Sequence, residues 1–450
     1  MSETTNGICR EDFAGATIIT IEDASLPVVR WVAAAPGGSS LDPTGKSGTL
    51  SMTMDLMLRG TQDKSREIFS QHLEGLGSSL SALGGNELAM FRGLSLKRNL
   101  AETLGLMREV MLEPELSEEE FEILREETID DIVSIPDDDG SLCGVFWRRA
   151  LYGEHPLSRM PSGEIGELLN LTLDDVKAMH QKVFEQGRLL WVFSGDITPA
   201  EARQAVESVY STSTPREYLQ TSAEPVASRE SPHIVVIDKP DRVQVQLRVG
   251  HMVVSGEHED VDPLWLGSTA FGGTFTSPLT HEIREVRGWS YFAATEFRRQ
   301  RRTPSPMVMH TAPAQEDLVD CLKLEWELFT GLADGKLDHD DIERARQYIL
   351  GRYPLSIATA SDRMVPALYL ELLGKPAHDI YALPRRIEKL EAQVVSEAMN
   401  KHLDPTKLLV VMVATARDVV DDLRSQFPDA TIEVRDYREG LTRPVIGSKQ

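Results

Sequence analysis

The stretch that most narrows what this chain can fold into is Gly48-Thr-Leu-Ser-Met-Thr-Met-Asp-Leu-Met-Leu-Arg-Gly-Thr61. Leu50, Met54, Met57 and Leu58 recur at i, i+4, i+7 and i+8, the period of a helix that turns one stripe toward a core. Gly60 ends such a helix, and Arg59 puts a positive charge where the helix dipole accepts one. Ser51 and Asp55 are also four apart and share a second face.

Upstream, Ala16–Ile21 and Val28–Ala35 read as strands split by a turn at Asp23–Pro27. The following loop, Gly37–Ser47, ends in Gly-Lys-Ser. A phosphate-binding loop needs a glycine five residues before its Gly-Lys pair, and Ser40 stands there. Pro43 removes a backbone donor from the same loop, which is therefore a connection into the helix and not a nucleotide site. Downstream come a helix over Ser65–Leu76 and strands over Ser79–Leu83 and Glu87–Leu94. Helices follow near Arg98–Met111 and over Ser117–Ser134, the latter capped by Ser117 with Glu120 three residues on. A Gly-Glu-His-Pro-Leu loop at 153–157 leads to a helix from near Thr172 and the strand Leu189–Phe193.

Ser211–Pro232 is rich in Ser, Thr, Pro and Glu without apolar periodicity, which marks a linker. Strands resume at His233–Ile237 and Val243–Gly250. A weak internal repeat spans this break. Ala178-Met179 lies in a helix before the strand Leu189–Phe193 and a helix from Pro199; Ala398-Met399 lies in a helix before Leu408–Val413 and a helix from Arg417. The offset is about half the chain, as two related domains require. A length of 450 residues also exceeds one ordinary core. The expected division is 1–215, a linker over 216–232, and 233–450.

Lys plus Arg total 47 against 71 Asp plus Glu, a net charge of −24, which argues against binding a phosphate backbone. Cys9, Cys143 and Cys321 are scattered and odd in number, so they form neither a metal motif nor a disulfide framework, and a reducing compartment fits. No basic, apolar leader opens the sequence and no apolar run reaches membrane-spanning length. The expectation is a cytoplasmic chain with no membrane and no nucleic acid among its partners. Eleven histidines show no metal spacing; His251, His258 and His281 read as surface or internally satisfied.

The same residues carry a family resemblance over nearly the whole chain. Gly48–Thr61 matches, without a gap, the Gly-Leu-Ala-His-Phe-Leu-Glu-His-Met-Leu-Phe-Lys-Gly-Thr frame of the pitrilysin or mitochondrial-processing-peptidase family of inverted-motif zinc peptidases. Leu76-Gly-Ser-Ser-Leu-Ser-Ala82 is similar to its edge strand, and Gly153-Glu-His-Pro-Leu157 and Phe193-Ser-Gly-Asp196 to two further signatures. Phe271-Gly-Gly-Thr-Phe-Thr-Ser277 and Ile283-Arg-Glu-Val-Arg-Gly-Trp-Ser-Tyr291 resemble its second-half segments. The resemblance implies an α+β fold of two homologous domains, each a mainly antiparallel sheet with helices packed on one face.

It also implies a function, through what is missing. In H-x-x-E-H two histidines bind zinc and the glutamate activates water. Here those positions hold Ser51, Met54 and Asp55, and the family's later glutamate ligand matches Glu126, with Glu127 if the frame slips by one. A hydroxyl and two carboxylates lack the imidazoles that grip catalytic zinc, so no metal and no cofactor is expected in this chain. Arg284 and Tyr291 survive. By spacing alone they read as an ion-paired arginine and a packed strand aromatic; within the matched block they correspond to the family's pair that binds substrate and oxyanion.

Two expectations follow. The first is a non-catalytic subunit of a heterodimeric zinc endopeptidase. It is inactive alone and lends Arg284 and Tyr291 in trans to a homologous H-x-x-E-H chain that holds the zinc around a peptide. Ser81 and Ala82 on the edge strand then offer backbone pairing to that peptide. The second is a catalytically dead peptide-binding or scaffold protein of the same fold.

Overall fold

The computed structural model describes residues 2–13, 15–210, 216–219, 226–297 and 303–444. Of the linker stretch Ser211–Pro232, residues 211–215 and 220–225 therefore lie outside the described residues. What is described of it packs down: Arg216 donates to the Phe184 carbonyl at 2.9 Å, and the Tyr218 hydroxyl to Thr17 at 3.0 Å.

Strands β1 (Ser2–Thr5), β2 (Ile8–Phe13), β3 (Ala16–Glu22), β4 (Val28–Pro36), β5 (Ser79–Gly84), β6 (Leu88–Leu96) and β7 (Leu189–Gly195) build one sheet. Strands β8 (His233–Asp238), β9 (Gln246–Met252), β10 (Ala293–Phe297), β11 (Pro306–Thr311), β12 (Leu409–Ala414) and β13 (Thr431–Asp436) build another. Their orders are β1-β2-β3-β7-β4-β6-β5 and β10-β11-β9-β12-β8-β13. The repeat seen in the sequence is physical. β3-β7-β4-β6-β5 and β8-β12-β9-β11-β10 run in the same order, with one parallel pair followed by antiparallel ones. β7 and β12 occupy equivalent interior positions, which is why Leu189–Phe193 and Leu409–Val413 are apolar at every residue: both faces are covered.

Each half's own helices cover one face of its sheet. On the first, α1 (Thr49–Met57) and α2 (Glu118–Ser134) pack with Ile18, Trp31, Phe91 and Trp191. On the second, α4 (Val261–Gly272), α5 (Leu318–Ala333) and α7 (Ala392–His402) pack with Ile234, Val236, Val410 and Met412. The opposite faces are covered by exchange. Helix α3 (Asp139–Tyr152), between α2 and α4 in the chain, crosses to the second sheet, where its Leu142, Val145 and Phe146 join Val235, Ile237, Val411 and Val413. Helix α6 (Ala360–Leu372), from the second half, lies on the first sheet, with Met364, Ala367, Leu368 and Leu372 against Ile19, Val32, Met90 and Val192.

Ion pairs fix these crossings in register. Arg10 on β2 grips Glu371 of α6 through Nε and Nη2 at 2.9 and 2.7 Å, and Asp139 of α3 accepts Lys239 Nζ at 2.6 Å and Arg242 Nη1 at 3.2 Å. Apolar burial carries the energy: a fully buried Leu or Met is worth roughly 1.5–3 kcal/mol, whereas a half-exposed ion pair contributes about 1 kcal/mol or less. Among the described residues no helix is long and apolar enough to cross a membrane.

Candidate functional site

Helix α1 starts where Gly48 takes a left-handed φ of 89° and Asp42 caps the first turn. The Asp42 carboxylate accepts the Gly48 and Leu50 amides at 2.9 and 2.8 Å. Burial pushes this carboxyl up to about 6, while those two donors pull it down. The helix N-terminus thus already holds an anion from its own chain, and the Gly-Lys-Ser loop has no phosphate to cradle. The helix stops at Met57, two residues short of Arg59, which instead pairs with Glu120 at 3.2 Å and with Glu127. Leu50, Met54 and Met57 are fully buried, as their spacing requires.

Ser51 Oγ lies 3.5 Å from Asp55 Oδ2 on the remaining face. Asp55 keeps a solvent-facing edge although protein crowds it, and that crowding pushes its carboxyl up to about 6; Arg59 and Ser51 pull the other way. Strand β5 passes directly over this face. A Cβ on Gly84 would sit 2.7 Å from the Ser51 Cα, so only glycine lets strand and helix approach this closely. β5 pairs with β6 alone and is the sheet's edge, so Ser81 and Ala82 lie on an edge strand next to α1.

Glu126, at the position of the third ligand, turns to the C-terminal segment. Its Oε2 accepts Arg443 Nη1 at 2.6 Å, and Asp130 one turn on accepts Nη2 of the same guanidinium at 2.5 Å. A zinc centre does not fit these groups. Met54 is in the core, Ser51 is neutral, and the acid that would complete the site already binds a guanidinium.

In the second half, the π-helical segment His281–Val286 and Gly288, with φ at 67°, bring Arg284 and Tyr291 together. The Arg284 guanidinium carbon lies 4.9 Å from the Tyr291 ring centroid and 4.7 Å from that of Phe275, so it rests against two aromatic rings. Each exposed contact of this kind is worth about 0.5–1 kcal/mol, enough to bias a long side chain toward the rings. Glu285 adds an ion pair at 3.5 Å. The group is on the surface: Tyr291 is 81% and Phe275 67% exposed. No hydrogen bond from the Tyr291 hydroxyl occurs among the described residues. The arrangement presents a planar cation and a phenol to whatever docks there. Among the described residues no hydrogen bond or ion pair joins Ser51 or Asp55 to this group.

Sequence reasoning missed three participants. Phe275 is the second ring against the Arg284 guanidinium, and Arg443 neutralises Glu126, both through tertiary contacts that no local spacing announces. A cavity of about 170 Å³ between the halves, lined by Asn86, Trp147, Arg148, Arg248, Glu296 and His310, depends on the crossing of α3. Of the histidines, His251 is buried; its Nε2 accepts the Asp404 amide at 3.1 Å, and burial holds it down to about 4.

A family model described as the peptidase M16 inactive domain matches residues 170–349. The chain is 24% identical over 294 residues to an uncharacterised zinc protease of Mycobacterium leprae, covering 63% of this chain and 64% of that one, just under two thirds of its length. It is 20% identical over 414 residues to a protein of Helicobacter pylori named a non-peptidase homolog, covering 90% of this chain and 93% of that one. Among solved structures it resembles a peptidase M16 inactive domain from Pseudomonas fluorescens, with a TM-score of 0.83 at 22% identity over 90% of this chain and 98% of that one. A protease from Helicobacter pylori aligns with a TM-score of 0.79 at 17% identity over 92% and 98%.

Proposed function

We propose, from the match of residues 170–349 to the peptidase M16 inactive domain and the likeness to a non-peptidase homolog, that this chain works as one half of a two-chain zinc endopeptidase. A homologous partner carries H-x-x-E-H and the metal. This chain supplies Arg284 and Tyr291 to the substrate carbonyl and the oxyanion that forms from it. The observation that carries the proposal is the Arg284 guanidinium resting against the exposed rings of Phe275 and Tyr291. A cation steadied on two open rings is of little use as internal packing and well suited to a group arriving from outside. Donors aimed at charge that grows in a transition state are worth on the order of a hundred- to a thousand-fold each. The edge strand at Ser81 and Ala82 offers backbone pairing to an extended peptide. Three buried, unpaired cysteines agree with a reducing, cytoplasmic setting.

The test mixes this chain with a similar-length H-x-x-E-H chain, measuring zinc content and cleavage of a quenched peptide. Cleavage appears only in the mixture and falls at least about a hundredfold with Tyr291→Phe or Arg284→Ala. Zinc-dependent cleavage by this chain alone refutes the proposal. Peptide binding without cleavage in every mixture assigns it to the scaffold class instead.

A further inference from the structure

Away from that site, three side chains meet where the turn entering α4 touches the end of α7. His402 closes α7, while His258 and Asp260 lie just before α4, and one ligand atom from each falls within 4.8 Å of the others. His402 Nε2 stands 2.7 Å from Asp260 Oδ2, and His258 Nδ1 stands 3.9 Å from the same oxygen. The imidazoles meet edge to face with 5.0 Å between centroids. Only the tertiary fold assembles this group, since 142 positions separate Asp260 from His402.

Two imidazoles and a carboxylate are the donor set of borderline divalent ions, and three protein ligands leave a fourth tetrahedral position for water. We infer that His258, Asp260 and His402 bind one zinc-type divalent ion, which ties the end of α7 to the entry of α4. Three local bonds compete with it, the first being the His402 Nε2–Asp260 Oδ2 hydrogen bond itself, whose proton leaves when both atoms turn to the ion. Lys401 Nζ donates to Asp260 Oδ2 at 2.7 Å, so an arriving ion displaces an ammonium. His258 Nδ1 accepts the Asp260 amide at 3.0 Å and gives up that bond on ligation. Lys401 is thus an internal rival of the metal, and its exposed side chain can be removed without touching the core.

The test uses the full chain, free of any histidine tag and stripped with chelator, titrated with zinc chloride by calorimetry and by thermal melting. Saturable uptake of one ion per chain is expected, with a rise in melting temperature. His258→Ala and His402→Ala each weaken uptake at least about tenfold. Lys401→Ala tightens it about two- to fivefold, the worth of an exposed ion pair. Cobalt(II) in place of zinc gives the visible bands of a four-coordinate ion, lost in His402→Ala. The absence of saturable uptake overturns the inference. So does uptake that persists in both histidine variants, or weaker uptake in Lys401→Ala, whose fold should be intact.

Discussion

Glu325 on α5 is wholly enclosed in the core of the second half, and that makes its charge a measurable liability. Its Oε1 accepts the Thr311 hydroxyl at 2.7 Å and lies 3.9 Å from Cys321 Sγ, while Oε2 has no hydrogen-bond partner among the described residues. Burial pushes the carboxyl up to about 8, with the Thr311 and Cys321 bonds pulling it down, so the native protein holds it neutral at pH 7. The unfolded chain releases that proton near 4.5. Below 4.5 both states hold the proton and stability is at its full value. Above it the native state alone retains the proton, so stability falls as pH rises, until about 8. At about 1.4 kcal/mol per pH unit, the loss between pH 5 and 7.5 is on the order of 3 kcal/mol. Glu325→Gln keeps the shape and a donor but removes the titration. Urea unfolding of both proteins from pH 5 to 8 should show the Gln variant gaining on the parent by about that amount. Asp42 and Asp55, both raised, and His251, depressed, are common to the two proteins and cancel in the difference. Parallel stability curves would refute the assignment of a neutral buried acid.

Gly84→Ala puts a methyl 2.7 Å from the Ser51 Cα and should cost about 1–3 kcal/mol, read as a lowered melting temperature; an unchanged melt would mean β5 does not lie on α1 as described. Leu368→Ala in α6 should cost about 2–5 kcal/mol and speed limited proteolysis in both halves, because the helix seals the first sheet while belonging to the second half; cleavage confined to residues after 233 would contradict the exchange.

Local signals in the sequence were legible wherever one face of an element decided its pattern. The stripe of α1, the Ser117 cap of α2, which accepts the Glu120 amide at 3.3 Å, and the capped start at Thr172 all rest on neighbours within a few residues. The repeat was legible because β7 and β12 are each covered on both faces and so are apolar throughout. Helix α3 is hidden in the sequence for the converse reason. Leu142, Cys143, Val145, Phe146, Trp147, Leu151 and Tyr152 are all buried, leaving no single stripe to betray its period. Its second neighbour is a sheet more than eighty residues downstream. The β1–β2 hairpin carries only a two-residue cue, Asn6-Gly7 at its tip, both at positive φ. At the site, the seven-residue step from Arg284 to Tyr291 was readable, but the ring of Phe275 beneath the guanidinium was not.

The traded helices have a mechanical consequence. Swinging the two halves apart like a hinged lid would peel α3 from β9 and β12 and α6 from β3 and β7, exposing apolar area that no arriving ligand replaces. A chain braced in this way moves as one stiff body, and its two halves keep their relative placement instead of opening about a hinge.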